Sequence, residues 1–369
     1  MLKLKPKYPI GIDIDDQNVY AVQLEQRRKD FAVRGLVHRE LDGETEGTLE
    51  ASDGLVYFLR EIRRNKQFLG RRVVAHLSSQ NVFSFPIRFQ VAEKETLEDA
   101  ILRQSKEHLP FPIEQTIIDY PSITDPPSSE PDAYRATIIA VRRDIIEQYL
   151  HIFDRAGLKV ETIDYGISSL IRLHSYLFNI DRNPIILCNM GYTQTMLSAV
   201  TADSILAQRS IPWGVGVLLE RIQAQLELSN DKDTAKMLLK KYGLLYEDRA
   251  SSRTDMDSDQ STAINTPYRT VYQIVTPHID ELINEFRKIT SYLRAREPNL
   301  RLEGIYLYGY APLISNLNRY LEERLQITTK LVNPMTKVAL ADDHILPDIS
   351  EGAPFGLALG LGMRKESWL

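Results

Sequence analysis

The fold is decided by two stretches, Pro9-Ile10-Gly11-Ile12-Asp13-Ile14-Asp15 near the amino terminus and Pro184-Ile185-Ile186-Leu187-Cys188-Asn189-Met190-Gly191 in the middle of the chain. Each begins as an apolar run typical of a buried strand. A polar turn and a second strand pattern follow, at residues 19–24 and 195–200. When Asp13 is laid over Asn189, Asp15 falls over Gly191 and the offset is 176 residues. The sequence therefore predicts a duplicated strand–turn–strand unit.

Two such units have the layout of a two-lobed nucleotide clamp. In such a clamp the two turns face each other across a cleft, where backbone N–H groups wrap phosphates and carboxylates hold Mg²⁺. Two ordinary β-hairpins would have the same pattern, because strand–turn–strand units are common. Asp13 by itself is equally compatible with a carboxylate that caps its own turn.

The rest of the chain is predicted to form two lobes and one insertion. In the inserted segment, short strands and helices alternate in a way that predicts a compact α+β unit. The predicted boundaries are 1–87 with 164–183 and 333–369 for the first lobe, 88–163 for the inserted subdomain, and 184–332 for the second lobe. Within the second lobe, residues 247–270 are polar, which predicts a flexible surface loop.

The composition excludes several classes of protein. The 369 residues carry 45 Lys and Arg against 50 Asp and Glu, a net charge of −5, so no overall charge draws the chain to nucleic acid or anionic lipid. The single cysteine, Cys188, cannot form an intrachain disulfide, and the seven histidines lack metal-ligand spacing. No apolar run reaches the roughly 18 residues of a spanning helix, and no signal peptide is indicated. We therefore expect a cytoplasmic protein that reaches a membrane only through a partner.

Further motifs follow one another along the chain. Besides the first strand, they are His108-Leu109-Pro110-Phe111-Pro112, Ile118-Asp119-Tyr120, Arg155-Ala156-Gly157-Leu158-Lys159-Val160, Pro212-Trp213-Gly214, a long amphipathic helix at 279–293, and Gly356-Leu357-Ala358-Leu359-Gly360-Leu361. In order and spacing, over nearly the whole chain, these motifs resemble those of the PilM-like type IV pilus assembly proteins. That family is actin-like and is related to the cell-division protein FtsA.

The resemblance implies an actin-like α/β fold, in which two duplicated, ribonuclease H-like lobes enclose a nucleotide cleft and an α+β subdomain is inserted into the first lobe. It also implies docking of the cytoplasmic N-terminal segment of a PilN-like bitopic protein, which would hold the chain at the inner membrane. The family's cleft positions correspond to Asp13, Asp15, Asp16, Gln17, Asn189, Gly191, Thr193, Thr195 and Gly309. One wall of a partner groove corresponds to Leu109, Pro110 and Phe111, with Arg142 and Arg143 at a nearby strand end. Burial of the same apolar residues in the core is the alternative.

The first phosphate loop departs from the family pattern. Asp13 is retained at the position of the family's metal-side carboxylate. Asp15 stands where a glycine lets the backbone approach phosphate, and Asp16 adds a second acid. Tyr20 stands where the family has a lysine. Two added carboxylates repel a triphosphate unless a cation bridges them, and one positive charge is lost.

The second loop and the purine end depart as well. Asn189 replaces a carboxylate, and an amide neither holds Mg²⁺ well nor acts as a base. Gly191 and Thr195 are retained, whereas Tyr192 replaces a small residue. At the purine end, the family's three glycines are reduced to Tyr308-Gly309-Tyr310.

These losses predict a pseudo-ATPase without cofactor or metal, which uses the fold as a scaffold in a type IV pilus or a related secretion apparatus. The alternatives are an ATP-binding conformational switch, a GspL-like component of type II secretion, and an FtsA-like division protein. No nucleic-acid partner is expected. The sequence leaves open whether the chain forms a homo-oligomer.

Overall fold

The computed structural model describes residues 8–364 apart from 16, 28–29, 42–52, 121–122, 125–132, 179, 181–182, 203, 230, 245–258, 297–299 and 341–351, and apart from the side chains of 79, 124 and 259–266. Its strands are β1 (Ile10–Ile14), β2 (Asn18–Arg27), β3 (Asp30–Glu40), β4 (Arg72–His76), β5 (Phe83–Phe89), β6 (Thr116–Asp119), β7 (Ile123–Thr124), β8 (Tyr134–Arg142), β9 (Lys159–Asp164), β10 (Ile185–Met190), β11 (Thr195–Val200), β12 (Ile205–Ile211), β13 (Gly304–Gly309), β14 (Thr329–Leu331) and β15 (Ala339–Leu340). Its α-helices are α1 (Asp53–Arg64), α2 (Leu97–Lys106), α3 (Arg143–Ala156), α4 (Gly166–Leu177), α5 (Val215–Gln225), α6 (Lys232–Lys241), α7 (Asp259–Arg296), α8 (Leu317–Leu325) and α9 (Gly356–Gly362).

Two of the three sheets in the described part of the chain repeat one pairing scheme. The first sheet has the order β15-β3-β2-β1-β4-β9 and the second β12-β11-β10-β13-β14. β1 pairs antiparallel with β2 and parallel with β4, and β10 pairs in the same way with β11 and β13. Asp13 lies opposite Tyr20, and Asn189 lies opposite Met196, so both hairpins share one register at the offset of 176 residues. The strand pairing thus shows the duplication that the sequence predicts.

Helices cover both faces of the first sheet and join it to the second. On one face, α1 and α3 bury Leu59 and Phe153. On the other face, α4 and α9 pack in a cluster that includes Leu187 of the second sheet, so these two helices lie between the two sheets. α9 lies close against β1, since a Cβ on Gly11 would overlap the Ala358 carbonyl oxygen. The far side of the second sheet is covered by α5, α7 and α8.

The third sheet belongs to the inserted subdomain. It has the order β5-β8-β6, with β7 also paired to β8, and α2 packs on it. Its boundaries differ from the predicted 88–163. Pairing with β8 draws β5 into this sheet from Phe83 onward. After Arg142 the chain returns to the first lobe, because α3 packs in the core of that lobe and β9 pairs parallel with β4. A strand pattern by itself does not say which sheet the strand joins.

The predicted flexible loop at 247–270 is wrong from residue 259 onward. Residues 247–258 lie outside the described residues, and α7 begins at Asp259 and runs for 38 residues. The later turns of α7 are anchored in the core by buried residues such as Ile279 and Phe286. Extending an anchored helix adds one hydrogen bond for each residue fixed, so polar residues can continue it without burying an apolar face.

Candidate functional site

The turns of the two hairpins face each other across a cleft between the lobes. Most positions that the sequence assigns to the cleft line one cavity of about 270 Å³, here called the inner compartment: Asp13, Asp15, Asn189, Gly191, Thr193 and Gly309. Gln17 and Thr195 are not part of this lining, and Asp16 lies outside the described residues. The structure therefore brings the two predicted loops together at one cavity.

The first turn is closed by its own side chain. The Asp15 backbone N–H donates to the Asn18 carbonyl oxygen over 2.9 Å. The Asp15 carboxylate in turn accepts hydrogen bonds from the backbone N–H groups of Gln17 (2.8 Å) and Asn18 (2.5 Å). In a phosphate loop, N–H groups of this kind are the donors that face the ligand. Burial and the neighbouring Asp13 carboxylate raise the pKa of Asp15 to about 7.

Asp13 is paired with a histidine. The His76 Nε2 lies 2.7 Å from Asp13 Oδ1, its Nδ1 lies 2.8 Å from the Leu77 carbonyl oxygen, and both side chains are buried. A carbonyl oxygen can only accept a hydrogen bond, so Nδ1 carries a proton. Burial by itself would lower the pKa of His76, but the Asp13 carboxylate raises it above its usual value, which favours the protonated ring. The group hydrogen-bonded to Asp13 is therefore a histidine of the chain itself.

The second turn is closed by backbone hydrogen bonds. The Gly191 N–H donates to the Gln194 carbonyl oxygen, and the Tyr310 N–H donates to the Met190 carbonyl oxygen, each over 2.8 Å. At Gly309, φ is 71° and a Cβ would overlap the Met190 carbonyl oxygen. The glycine retained at the purine end is therefore required by backbone geometry, whether or not a ligand binds there.

Three tyrosines bridge the cleft, and we call Tyr20, Tyr192 and Tyr310 the aromatic partition. The Tyr20 hydroxyl is hydrogen-bonded to the Tyr310 hydroxyl, and the Tyr192 and Tyr310 rings meet edge to face with centroids 6.1 Å apart. Tyr20 also stacks on His38 at 4.5 Å and contacts the Phe355 ring at 5.0 Å. Burial raises the pKa of both Tyr20 and Tyr310 well above the usual value, so their hydroxyls stay protonated and can share this hydrogen bond.

The aromatic partition separates the inner compartment from a second cavity of about 710 Å³, here called the outer compartment. All three tyrosines line both cavities. The inner compartment contains the carboxylates of Asp13 and Asp15, whereas helix α6 lines the outer one with lysines. Glu40 of the first lobe pairs with Lys232 (3.2 Å) and Lys236 (3.6 Å) of the second. These ion pairs and the partition connect the two lobes directly.

The residues assigned to the partner groove gather at one end of the inserted sheet, and none of these five residues lines either compartment. Thr116 of β6 lies opposite Arg142 of β8, and the Thr116 hydroxyl donates to the Pro112 carbonyl oxygen over 2.8 Å. The stretch Leu109-Pro110-Phe111 therefore ends near Arg142. Leu109 and Phe111 are half-buried, while Pro110, Arg142 and Arg143 are exposed.

Several cleft residues are not indicated by the sequence analysis. His76 ends β4, which runs parallel to β1 and so places the histidine beside Asp13. A histidine at the end of a buried strand pattern was the one available signal. The Tyr165 hydroxyl donates to Gln208 Oε1 over 2.5 Å and makes a further contact across the inner compartment. Nothing in the spacing of Tyr165 and Gln208 indicates that they meet.

Comparison with known proteins identifies the fold. A family model described as type IV pilus assembly protein PilM matches residues 11–251 and 236–366. A solved PilM–PilN type IV pilus biogenesis complex superimposes with a TM-score of 0.76 at 22% sequence identity, covering 96% of this chain and 97% of the other. The ethanolamine utilization protein EutJ from Carboxydothermus hydrogenoformans gives a TM-score of 0.50 at 13% identity, covering 96% and 90%. The predicted actin-like α/β fold is confirmed.

Two features are absent from the described residues. None of the helices in these residues is both long enough and apolar enough to cross a membrane. Within the same part of the chain, no group of three or more His, Cys, Asp or Glu side chains is arranged to hold a metal ion.

Proposed function

The chain belongs to the PilM family of type IV pilus assembly proteins, and we propose that it is a non-enzymatic cytoplasmic scaffold that docks the cytoplasmic N-terminal segment of a PilN-like bitopic inner-membrane protein. The observation that carries this proposal is the similarity, over 96% of the chain, to a solved PilM–PilN complex. Docking of this kind would keep the protein at the inner membrane through its partner.

We place the docking surface at the end of the inserted sheet where Leu109, Pro110 and Phe111 meet Arg142 and Arg143. The proline-rich stretch is stiff, so it loses little conformational entropy when it contacts an extended peptide. Half-buried Leu109 and Phe111 offer apolar contact. Exposed Arg143 offers charged donors at the rim, next to Arg142, which is paired with Asp144. A few such anchors are sufficient to bind a short peptide.

Calorimetry on the full chain tests this docking. The peptides have the cytoplasmic N-terminal sequences of PilN-like membrane proteins whose genes lie near the gene of this chain. We expect at least one peptide to bind, and Phe111→Glu to weaken it by about tenfold or more, because a charge would replace an apolar contact. Leu102→Glu is the matched control, since Leu102 is an exposed apolar residue on α2 of the same subdomain. Failure of every peptide, or equal loss in the control, would reject this docking surface.

We further propose that the cleft is degenerate and does not run an ATP cycle. Three features favour this. Asp15 occupies the N–H donors that a phosphate loop would offer, His76 is hydrogen-bonded to Asp13 where a metal ion would lie, and the aromatic partition crosses the path between the compartments. A bound Mg²⁺ would neutralise the phosphates of ATP. The carboxylate that would face the ion is already paired, so the residues present do not fit Mg·ATP in this arrangement.

Calorimetry with ATP and either Mg²⁺ or Mn²⁺ tests the cleft. We expect no binding with a dissociation constant below about 10 μM, which corresponds to about −7 kcal/mol. The double variant Asp15→Gly and Tyr20→Lys, which restores two family residues, is expected to bind ATP more tightly than the native chain. Tight, metal-dependent binding by the native chain that is lost in Asp13→Ala would instead establish an ATP-binding switch.

A further inference from the structure

The end of the first sheet that lies away from the cleft has a cluster of basic side chains. β4 begins at Arg72 and β9 begins opposite it at Lys159, whereas His76 at the other end of β4 lines the inner compartment. The loops that lead into these two strands, together with the final residues of α1 and α3, therefore lie at the end remote from the cleft. We call six exposed side chains here the basic end: Arg60, Arg63, Lys66, Arg71, Arg155 and Lys159.

Hydrogen bonds hold the two segments of the basic end together. The Arg60 guanidinium donates to the Arg155 carbonyl oxygen over 2.9 and 3.1 Å. Arg63 follows three positions later, on the same face of α1. The Lys159 backbone N–H donates to the Arg71 carbonyl oxygen over 2.7 Å. The cations of the two segments are therefore neighbours on one surface.

Positive charge is in surplus at the basic end. Within the described residues, Arg155 is the only one of the six side chains in an ion pair, 2.7 Å from Asp53. Exposed Asp154 lies beside Arg155 in the chain, and Glu61 is paired with Arg64. Cations in the last turns of α1 and α3 complement the helix dipoles, which accounts for part of the cluster. The cations of the two loops lie outside both helices, so the dipoles do not account for them.

An apolar side chain lies among these charges. Leu69 is 41% exposed, and in the chain it lies between Lys66 and Arg71. The buried amide of Gln23 donates to the Leu69 carbonyl oxygen over 2.9 Å and accepts from the Leu69 N–H over 2.6 Å. These bonds fix the backbone of Leu69 while its side chain stays in solvent. An apolar side chain between cations fits the headgroup layer of an anionic membrane.

We infer that the basic end binds the anionic surface of a lipid bilayer, with Leu69 in the headgroup layer and the cations on the lipid phosphates. The inference goes beyond the proposed function, because it gives the chain a membrane contact of its own in addition to its partner. The exposed leucine favours a bilayer over a nucleic acid, whose bases stack on aromatic side chains. The net charge of −5 belongs to the whole chain, whereas a membrane interacts with charges within a Debye length of about 10 Å.

Helix α3 connects the basic end to the docking surface. It begins at Arg143, which belongs to the docking surface, and ends at Ala156 beside the basic end. Its 14 residues rise about 1.5 Å each, so the two surfaces are about 20 Å apart. About six residues of extended peptide span this distance. A docked peptide can therefore come from the same membrane that the basic end contacts, and a contact that is weak by itself is then strengthened by the partner.

Flotation of the full chain with lipid vesicles tests the basic end. Vesicles of phosphatidylglycerol and phosphatidylethanolamine should bind the chain. Vesicles of phosphatidylcholine should bind it at least about tenfold more weakly, because they have no net charge. Raising the salt concentration from about 0.05 M to about 0.5 M should release the chain, since salt screens exposed charges. Inorganic phosphate at equal ionic strength should release no more than chloride does, which separates a lipid surface from a site for free phosphate.

Charge reversal locates the contact. Lys66→Glu with Arg71→Glu should weaken binding to the anionic vesicles by about tenfold or more. Lys94→Glu with Arg301→Glu is the matched control, because both residues are exposed, lie outside the basic end and give the same change in net charge. Leu69→Ser should weaken binding by at least about threefold at low and at high salt, since it removes an apolar contact.

Three outcomes would overturn the inference. They are no preference for the anionic vesicles, equal weakening by the basic-end pair and the control pair, and displacement of bound vesicles by a single-stranded RNA, which would assign the basic end to nucleic acid. Failure of the proposed docking is distinguishable, because the peptide calorimetry contains no lipid. Phe111→Glu should weaken peptide binding and leave vesicle binding unchanged, and the double variant at Lys66 and Arg71 should do the reverse.

Discussion

The turn of the first hairpin and the turn of the second share one register and one backbone hydrogen bond, but they differ in the side chain at one equivalent position. The N–H groups of Asp15 and Gly191 donate to the carbonyl oxygens of Asn18 and Gln194, and in the first turn the Asp15 carboxylate also accepts hydrogen bonds from the backbone of its own turn. Asp15 and Gly191 are equivalent positions at the offset of 176 residues. The strands that lead into these turns are buried, and packing holds their register. The turns face the cleft, and at this equivalent position the first copy has a carboxylate and the second has none.

The largest difference between the copies is expected at Asp13 and its equivalent Asn189. Asp13→Ala removes the carboxylate that is hydrogen-bonded to buried His76 and leaves a ring nitrogen without that partner, which should lower the free energy of unfolding by about 3 kcal/mol. Asn189→Ala should cost less than about 1 kcal/mol, because no buried charge is left unpaired. Urea unfolding at neutral pH measures both. Equal losses of unfolding free energy at the two positions would show that the Asp13–His76 pair does not stabilise the first copy more than Asn189 stabilises the second.

A second difference lies on the strands themselves. Gly11 faces α9, whereas the equivalent position in the second copy is Leu187. Gly11→Ala should lower the free energy of unfolding by about 2–3 kcal/mol, because the new methyl group collides with helix backbone that cannot move cheaply. Gly356→Ala, on the same helix, is the control. A Cβ there meets its nearest neighbours at 3.5 and 3.8 Å, so a change within about 0.5 kcal/mol is expected in thermal unfolding.

The pH dependence of stability should reveal the charge that the first turn has acquired. The pKa of Asp15 is about 7 in the folded protein and has a usual value of 3.8, so the folded state holds more protons between these values. The free energy of unfolding should therefore fall as pH rises from about 4 to about 7. Asp15→Asn keeps an oxygen acceptor and removes the charge. Denaturation over this range should show a flatter profile, with a gain on the order of 1–2 kcal/mol at pH 8.

His76 also makes the free energy of unfolding fall as the pH rises. Its pKa is raised by Asp13, so its stabilising effect is complete below the usual histidine value and is lost as pH rises through the folded-state value. This loss persists in Asp15→Asn. Identical slopes in the native chain and in the Asp15→Asn variant would contradict the raised pKa of Asp15.

The smallest expected effect concerns the contact between the copies. Tyr20→Phe and Tyr310→Phe each remove one hydroxyl of the bridging pair, and each should lower the free energy of unfolding by about 1 kcal/mol. The double variant should cost less than the two single costs combined, because both remove the same hydrogen bond. Chemical denaturation of the four proteins measures this coupling. Additive losses would show that the two hydroxyls do not stabilise each other.

Strands that have a clear local sequence pattern could be predicted from the sequence. The pairing of strands that are distant in the chain could not. The apolar run before Asp13 and the run before Asn189 define two buried strands whatever surrounds them. The strand at Phe83 was recognisable too, but its pairing partner, β8, begins at Tyr134, so its sheet is decided by a distant segment. The polar residues from Asp259 onward, at the start of α7, show the same limit. Composition does not distinguish a polar loop from the extension of an anchored helix.

The candidate site follows the same division. Loss of the family's glycine at Asp15 and of its lysine at Tyr20 could be seen in the sequence. That the Asp15 carboxylate would turn back onto its own loop could not, since the side-chain direction depends on the hairpin register. The contact between Tyr20 and Tyr310 joins residues 290 positions apart, and a single sequence contains no signal that pairs them.

The position of β15 and α9 in the first lobe has a consequence for protein synthesis. Ala339 of β15 lies opposite Ala32 of β3, and α9 covers β1, so the first sheet needs segments translated after every strand of the second sheet. Until α9 has been translated, the face of the first sheet that contains Gly11, Val22 and Leu24 lacks this cover. The amino-terminal lobe is thus completed last, and its exposed apolar surface makes the nascent chain prone to aggregation until then.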